Sequence, residues 1–191
     1  MEITFRPFES GDQVAFGELN EAWISALFSM EEKDHELLGD PVRHILNEGG
    51  AIFMAVSGER AVGCCALLKM DGGAFELGKM AVAEDLRGAG IGRQLLEFVI
   101  GKAREMGISR LFLETNHKLQ NAIHLYEAAG FKHVPGDRLH PSPYARSDVS
   151  MELVLPIYQT RPITLQDLEL VCRHRREMFR EMGSPEPGAT F

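Results

Sequence analysis

Long apolar segments are missing from this chain of 191 residues. No stretch approaches the roughly 20 consecutive apolar residues that a membrane-spanning helix needs, and residues 1–7 lack the basic start and apolar core of a secretory signal. Cysteine is also scarce, with only three present. Two of them are adjacent, at Cys64 and Cys65, which does not make a disulfide framework. These absences predict a cytoplasmic protein without a membrane partner.

Metal-ligand spacings are absent as well. The sequence contains neither an H-E-x-x-H pair nor a C-x-x-C pair, so we expect no metal. The formal net charge of −8 argues against a nucleic-acid partner, because such a surface needs clustered positive charge. The same charge is compatible with a cationic substrate. Hydrophobic residues make up 45 % of the chain, which suits a folded domain with a buried core.

What the chain does contain is a strand-loop-helix segment over residues 75–106. Residues 75–82 are typical of a strand, and residues 91–106 carry apolar side chains at helical spacing. Between them, Gly88, Gly90 and Gly92 lie where the helix begins. Glycine lets the backbone adopt positive φ and approach a ligand closely. The unpaired N–H groups of a helix N-terminus attract anions, so the segment predicts a phosphate-binding loop.

Three kinds of phosphate-binding loop have glycines in such a position. A P-loop needs Lys and then Ser or Thr after its last glycine, and here Arg93 follows Gly92, which excludes it. A dinucleotide-binding fingerprint needs G-x-G-x-x-G, and the last spacing is one residue short. Glu114 nevertheless ends a later strand about where a ribose-binding acid would lie, so this alternative stays open. The third pattern, R-x-x-G-x-G, is met by Arg87, Gly90 and Gly92.

A second block of sequence supports the third pattern. Residues 121–131, N-A-I-H-L-Y-E-A-A-G-F, follow the glycine loop by about 30 residues. Together, the two blocks resemble the acetyl-CoA-binding motif and the later L-Y-x-x-x-G-F segment of the GNAT N-acetyltransferase superfamily. The resemblance covers residues 1–156. It implies an α+β fold with a mixed, mostly antiparallel central sheet flanked by helices, and with acyl-CoA bound at the glycine-rich strand-loop-helix.

The resemblance also implies a function and roles for individual residues. The function is acetyl-CoA-dependent transfer of an acetyl group to a primary amine of a small molecule or protein. Tyr126 matches the tyrosine that protonates the departing thiolate, or else it is a core tyrosine. Glu76 lies where several members place the general base, or else it is a substrate-binding carboxylate or a solvated strand end. Tyr144, in a late loop, would shape the substrate pocket. The expected acetyl-CoA-binding residues are Met80, Ala81, Val82, Arg87, Gly88, Ala89, Gly90, Ile91, Gly92, Arg93 and Asn121.

Other patterns predict the elements around this segment. Residues 51–56 and 61–70 are typical of two strands of a hairpin, and residues 28–35 indicate an acidic loop. Asp40 and Pro41 predict a short helix over residues 41–47, with the proline at its first position. Strands are expected over residues 111–115, 131–134 and 149–155, with a helix over residues 119–129.

The C-terminal extension, residues 157–191, forms the second region. The R-P-x-x-x-x-D pattern of residues 6–12 recurs at residues 161–167, and each copy precedes an amphipathic helix. The extension resembles the start of a second, truncated GNAT copy, or else it is only a helix after an R-P start. Some 30 residues cannot form their own core, so we expect the apolar stripe of this helix to be buried, either against the first domain or against a second chain. Of these we favour a homodimer. A tandem arrangement leaves an alternative function, a catalytically weak acyl-CoA-binding regulatory module.

Overall fold

The computed structural model describes residues 2–135, 142–156 and 163–181, and the chain divides into two units, Met1–Ile157 and Tyr158–Phe191. The first unit contains a seven-stranded sheet with helices packed on it. The strands are β1 (Thr4–Pro7), β2 (Ala51–Ser57), β3 (Arg60–Lys69), β4 (Phe75–Val82), β5 (Arg110–Thr115), β6 (Lys132–His133) and β7 (Val149–Val154). The helices are α1 (Gln13–Leu27), α2 (Glu32–Gly39), α3 (Ile91–Glu105) and α4 (Gln120–Ala128).

The sheet has the strand order β1-β2-β3-β4-β5-β7-β6. Every neighbouring pair is antiparallel except β4 and β5, which are parallel. A parallel pair cannot be joined by a tight turn, and here α3 forms the crossover. The expected α+β class, with a mixed, mostly antiparallel sheet flanked by helices, is confirmed.

Each face of the sheet is covered by helices whose apolar side chains recur at helical spacing. Leu95, Leu96 and Val99 of α3 are completely buried in one apolar cluster. Phe16 and Ile24 of α1 are completely buried in a second cluster. Alternate residues of β2 and β3 belong to the two clusters, so these lie on opposite faces of the sheet. Burial of each such side chain contributes roughly 1.5–3 kcal/mol, which holds the helices in place on the sheet.

The pairing of β4 with β5 is limited to the first residues of each strand. Phe75 lies opposite Leu111 and Glu76 lies opposite Phe112, whereas both strands continue well beyond these positions. The two strands therefore diverge after Glu76, and the sheet opens between them. Along this opening, the backbone groups of β4 that face β5 have no partner strand.

The other edge of β4 contains a bulge. Between the paired positions Gly78–Ala66 and Ala81–Cys64, β4 has two residues where β3 has one, which is the pattern of a β-bulge. Lys79, one of the two, has a φ of 50°, and it is the one non-glycine residue with positive φ among the described residues. A non-glycine residue in this region costs on the order of 1–3 kcal/mol and persists only where surrounding contacts fix it.

One of the local expectations was wrong and another is confirmed. The expected short helix over residues 41–47 is present as a π-helical turn, Val42–Leu46. The acidic stretch that indicated a loop instead contains the start of α2, because the side chains of Glu31 and Asp34 each accept a hydrogen bond from the other's backbone in a capping box. Acidic residues at both positions of the capping box hide the usual Ser/Thr start signal, which is why the sequence indicated a loop.

The second unit contains α5 (Leu168–Glu181), preceded by the short helical turn Leu165–Asp167. Thr164 and Asp167 form a capping box at its start, and Glu9 and Asp12 form one at the same distance before α1. The two regions therefore share local structure as well as sequence. Residues 157–162 and 182–191, which include part of the recurring pattern, lie outside the described residues. No helix in the described ranges is long and apolar enough to cross a membrane.

Candidate active site

The loop between β4 and α3 presents a row of unpaired backbone N–H groups. Gly88 and Gly90 have φ values of 82° and 80°, which turn the backbone in a way that L-residues with side chains rarely adopt. Space around both is open, since a side chain at Gly88 would meet no atom within 4 Å and one at Gly90 only the end of Gln94. Within the described residues, no hydrogen-bond acceptor pairs with the amides of Gly88, Gly90, Ile91, Gly92 and Arg93. These amides at a helix N-terminus form an anion-binding cradle.

Next to this loop lies a cleft of about 390 Å³ between β4 and the start of α4. Ala81 and Val82 line it from β4, Arg87 from the glycine loop, and Asn121 from α4. The cleft therefore brings together four of the predicted cofactor-binding residues, which are separated by up to 40 positions in sequence.

The remaining residues of the loop have different surroundings. Ile91 is buried in the apolar core, so only its backbone amide faces the anion-binding cradle. The Arg93 side chain forms an exposed ion pair with Glu97 at 2.8 Å. A Cβ atom at Gly92 would lie 3.6–3.8 Å from side chains of β4 and α4, so this glycine permits the close approach of α3 to both elements.

The opening between β4 and β5 contains a second cavity, of about 90 Å³. Glu76, Met80 and Tyr126, all predicted site residues, line it together with Gly78 and Glu114. It adjoins the cleft beside the glycine loop, because side chains of α1 and α4 line both. The predicted proton acceptor, the predicted proton donor and the predicted cofactor cleft thus meet around the divergence of the two strands.

Glu76 has the properties of a proton acceptor at neutral pH. Burial raises the pKa of Glu76 to about 7, and the nearby carboxylate of Glu114 adds to the increase, against the opposing effect of Lys79. No hydrogen bond or ion pair holds its carboxylate within the described residues, which leaves it available to a bound molecule. A carboxylate with a pKa near the working pH is well suited to proton transfer.

Tyr126 has the properties of a proton donor. Burial raises the pKa of Tyr126 above its ordinary value, and Cys65 adds a smaller effect in the same direction, so the hydroxyl stays protonated at neutral pH. Its ring packs against Phe131, with centroids 5.8 Å apart. Among the described residues, the hydroxyl's one hydrogen-bonding contact is a weak one, to Met80 Sδ at 4.0 Å, so its proton is free for another acceptor.

A buried ion cluster forms the wall of the cavity. Asp34 of α2 is completely buried and accepts hydrogen bonds from Lys79 Nζ at 2.5 Å and from both terminal nitrogens of Arg146, at 2.6 and 2.8 Å. Lys79 Nζ also donates to the hydroxyl of Tyr144 at 2.9 Å, and Arg146 donates to Glu31 at 3.0 Å. Burial alone would raise the pKa of Asp34, but hydrogen bonds from Arg146 and Lys79 outweigh it and lower the pKa to about 2.

The family model of the Acetyltransferase (GNAT) family matches residues 15–131, which contain the glycine loop, Glu76 and Tyr126. The chain belongs to the GNAT family. The match agrees with the resemblance that the two sequence blocks indicate.

Individual GNAT relatives match part of the chain. The IAA acetyltransferase of Azospirillum brasilense is 37 % identical over 97 residues, which cover 50 % of this chain and 61 % of that protein. Human N-acetyltransferase 8B is 32 % identical over 101 residues, 50 % of this chain and 44 % of the relative. The chain spans about 60 % of the length of the bacterial relatives it matches.

Solved structures show the same fold. A GNAT-family acetyltransferase from Staphylococcus aureus superposes with a TM-score of 0.74 at 22 % identity, covering 81 % of this chain and all of that one. A Bacillus subtilis acetyltransferase in complex with CoA gives a TM-score of 0.62 at 19 % identity, with 81 % and 100 % coverage.

The dinucleotide alternative does not fit this GNAT site. It required Glu114 beside a ribose at the glycine loop. Glu114 instead lines the cavity with Glu76, where its carboxylate accepts a hydrogen bond from the Ser142 hydroxyl. It does not line the cleft that Arg87 and Asn121 share.

Sequence reasoning missed four polar residues of the site: Asp34, Lys79, Glu114 and Arg146. Glu114 appeared only as a ribose ligand, and Asp34 lay in the supposed acidic loop. The capping box of α2 is the one signal that could have located Asp34 on a helix. Tyr144, expected to shape the pocket, does line the cavity.

The ion cluster predicts a large effect of Asp34→Ala on stability. This substitution leaves two buried cations without their shared carboxylate, and removing one partner of a buried ion pair costs about 3–5 kcal/mol. Urea denaturation should show the loss. Asp85→Ala is the matched control, since it removes an exposed ion pair with Arg60 and should shift the midpoint little.

The lowered pKa of Asp34 makes the stability difference between the parent and Asp34→Ala depend on pH. The stabilisation is complete above the unfolded-state pKa of about 4 and is lost as the pH falls through the folded-state value of about 2. The difference in free energy of unfolding between the parent and Asp34→Ala should therefore become smaller below about pH 4. Equal stability of Asp34→Ala and Asp85→Ala at neutral pH would contradict the structural role of the cluster.

Proposed function

We propose that this protein is an acetyl-CoA-dependent N-acetyltransferase that moves an acetyl group to a primary amine of a small molecule or protein by direct attack on the thioester. The observation that carries the proposal is the meeting of three features at the opening of β4: the cradle of free amides, the buried carboxylate of Glu76, and the protonated hydroxyl of Tyr126. The membership of the GNAT family and the names of its N-acetyltransferase relatives support it.

The residues present suit acetyl-CoA. The pyrophosphate would bind to the free amides of Gly88 and of residues 90–93, with Arg87 adding positive charge. The amide of Ala89 donates to the carbonyl of Leu86 instead. Pantetheine amides would pair with the open edge of β4 at Met80, Ala81 and Val82, and with Asn121 across the cleft. When bound, acetyl-CoA supplies an activated acyl thioester.

Glu76 would then accept a proton, and Tyr126 would donate one. An alkyl ammonium has a pKa of about 10.4 and cannot attack until it loses a proton, which Glu76 takes directly or through a water molecule. A backbone N–H of β4 near Met80 stabilises the negative charge that develops on the carbonyl oxygen. Tyr126 donates its proton to the departing thiolate.

One observation favours a second candidate function. The capping box and helical turn before α5 repeat those before α1, which supports the view that residues 157–191 begin another GNAT copy. In a tandem protein, one copy can serve as a catalytically weak acyl-CoA-binding regulatory module. Thiol release with a panel of amines separates the two functions, because a module binds CoA without release. The cytoplasmic location and the homodimer through the C-terminal helix stay predictions.

The glycine loop predicts a specific loss of CoA affinity in Gly90→Ala. The positive φ at this position disfavours alanine by on the order of 1–3 kcal/mol, so the amides of the cradle should shift. Calorimetry should show at least tenfold weaker binding of CoA. Gly101→Ala is the control, because this glycine of α3 has no atom within 4 Å of an added Cβ. It should bind CoA normally and unfold at a slightly higher temperature. Equal CoA affinity of both variants would contradict the loop assignment.

The proton-donor role predicts the kinetics of Tyr126→Phe. We expect kcat to fall by about 10²-fold or more, within the usual range for general-acid catalysis, with little change in KM for acetyl-CoA. The melting temperature should stay the same, since phenylalanine keeps the ring contact with Phe131. A variant within a few-fold of the parent kcat would show that Tyr126 is a core residue instead.

The proton-acceptor role predicts a pH profile. The kcat/KM of the parent should rise through pH 7, following the pKa of Glu76 at about 7, because only the carboxylate form accepts a proton. Glu76→Gln should lower kcat/KM by about 10²-fold or more and remove this limb. Glu59→Gln, at an exposed turn, should retain the parent profile. A Glu76→Gln variant that keeps the limb and shows only a higher KM for the amine would assign Glu76 to substrate binding.

A further inference from the structure

The carboxylates of Glu76 and Glu114 share one cavity at the end of the β4–β5 pairing. Glu76 lies opposite Phe112 in the parallel register, and Glu114 follows Phe112 by two positions. Side chains two positions apart along a strand project to the same face, so both glutamates project from the same face of the sheet. Both line the cavity of about 90 Å³.

Gly78 packs closely beside the Glu76 carboxylate. A Cβ atom at this position would lie 3.4 Å from Glu76 Oε1 and 3.1 Å from Leu68 Cδ1. A side chain here would therefore press on Leu68 and on the carboxylate. The absence of a side chain lets the Glu76 carboxylate keep its place in the cavity, where its oxygens can face an ammonium group.

The positive charges that line the cavity have counter-ions, whereas the negative charges have none within the described part of the chain. Lys79 and Arg146, the cationic side chains in its lining, are both bound to Asp34, and Arg146 is also bound to Glu31. Glu76 and Glu114 have no cationic side chain within ion-pair distance in the described part of the chain. Glu114 accepts a hydrogen bond from the neutral Ser142. The charge left for a bound molecule to meet is thus negative.

We propose that the acceptor is an alkylamine that carries no carboxylate, with its ammonium group seated between Glu76 and Glu114 beside Gly78. This inference rests on the proposed acetyl transfer. A carboxylate on the acceptor would face two unpaired carboxylates in a partly desolvated space, where like charges repel strongly. An acceptor whose other groups are neutral or cationic meets no such repulsion.

The reaction remains balanced in this arrangement. One ammonium proton passes to Glu76, the nitrogen forms the new bond to the acyl carbon, and the carbon–sulfur bond breaks. Tyr126 supplies the proton that the thiolate gains, and the second proton that the nitrogen loses on becoming an amide restores the Tyr126 hydroxyl. Glu114 stays a carboxylate and positions the amine, so it is a positioning residue whose effect depends on the charge of the acceptor.

Three amines that share an aminobutyl chain test the proposal. They are n-pentylamine, δ-aminovalerate and putrescine, which end in a methyl, a carboxylate and an ammonium group. Turnover is measured as thiol release from acetyl-CoA, and binding to the CoA-loaded protein is measured by calorimetry. We expect δ-aminovalerate to have at least tenfold lower kcat/KM and affinity than n-pentylamine, and putrescine to equal or exceed n-pentylamine. Equal values for δ-aminovalerate and n-pentylamine would overturn the proposal.

Two variants test the residues that the proposal names. Glu114→Gln should narrow the difference between n-pentylamine and δ-aminovalerate severalfold, because one repelling charge is removed. If Glu114 had only a structural role, the substitution would weaken the binding of n-pentylamine and δ-aminovalerate equally. Gly78→Ala should weaken binding of all three amines while CoA affinity stays unchanged. Glu59→Gln is the control for charge in general and should keep the parent ratio. An unchanged ratio in Glu114→Gln would overturn the role of this residue.

The binding measurement separates this proposal from the proposed function. Thiol release with none of the three amines, together with the expected order of affinities, would contradict the acetyltransferase activity but support the acceptor site. Thiol release with the order reversed, or with δ-aminovalerate preferred, would support the activity and overturn the acceptor class. If none of the amines binds, the acceptor site is wrong.

Discussion

The structure depends on the early end of the pairing between β4 and β5. Two residue pairs join the strands, and then the sheet opens with its backbone groups unpaired on one side of β4. Unpaired backbone groups inside a protein are costly unless a partner is found, so the opening is stable only where a ligand or solvent can enter. The glycine loop, the predicted cofactor cleft and the proposed acceptor cavity all lie along this one opening.

The bulge of β4 connects the opening to the charge distribution of the site. Lys79 adopts a positive φ in the bulge, and its side chain reaches Asp34. Asp34 also binds Arg146 from the segment before β7, so one buried carboxylate ties α2, β4 and that segment together. Because Asp34 and Glu31 together supply the two negative charges that balance Lys79 and Arg146, the carboxylates of Glu76 and Glu114 set the character of the proposed acceptor site.

Local sequence patterns predicted much of this candidate site. The glycine loop, Asn121 and Tyr126 lie in two blocks, of which the first has glycines at positive φ and the second supplies the candidate hydroxyl donor. The strands and helices near these blocks were also found, because their periodicity is strong. The acidic stretch at the start of α2 is wrongly expected to be a loop, since its capping box uses glutamate and aspartate.

The sequence by itself determined the family and the fold class, and it predicted the phosphate-binding loop and the candidate proton donor and acceptor, because each rests on residues close together in the chain. Only the tertiary structure decided that Asp34, Lys79 and Arg146 form one cluster and that Glu114 shares a cavity with Glu76. The contacts of Asp34 join positions 45 to 112 residues apart. Glu76 and Glu114 are brought together by the register of two parallel strands. Neither composition nor periodicity carries information about such pairings, which depend on where the sheet opens.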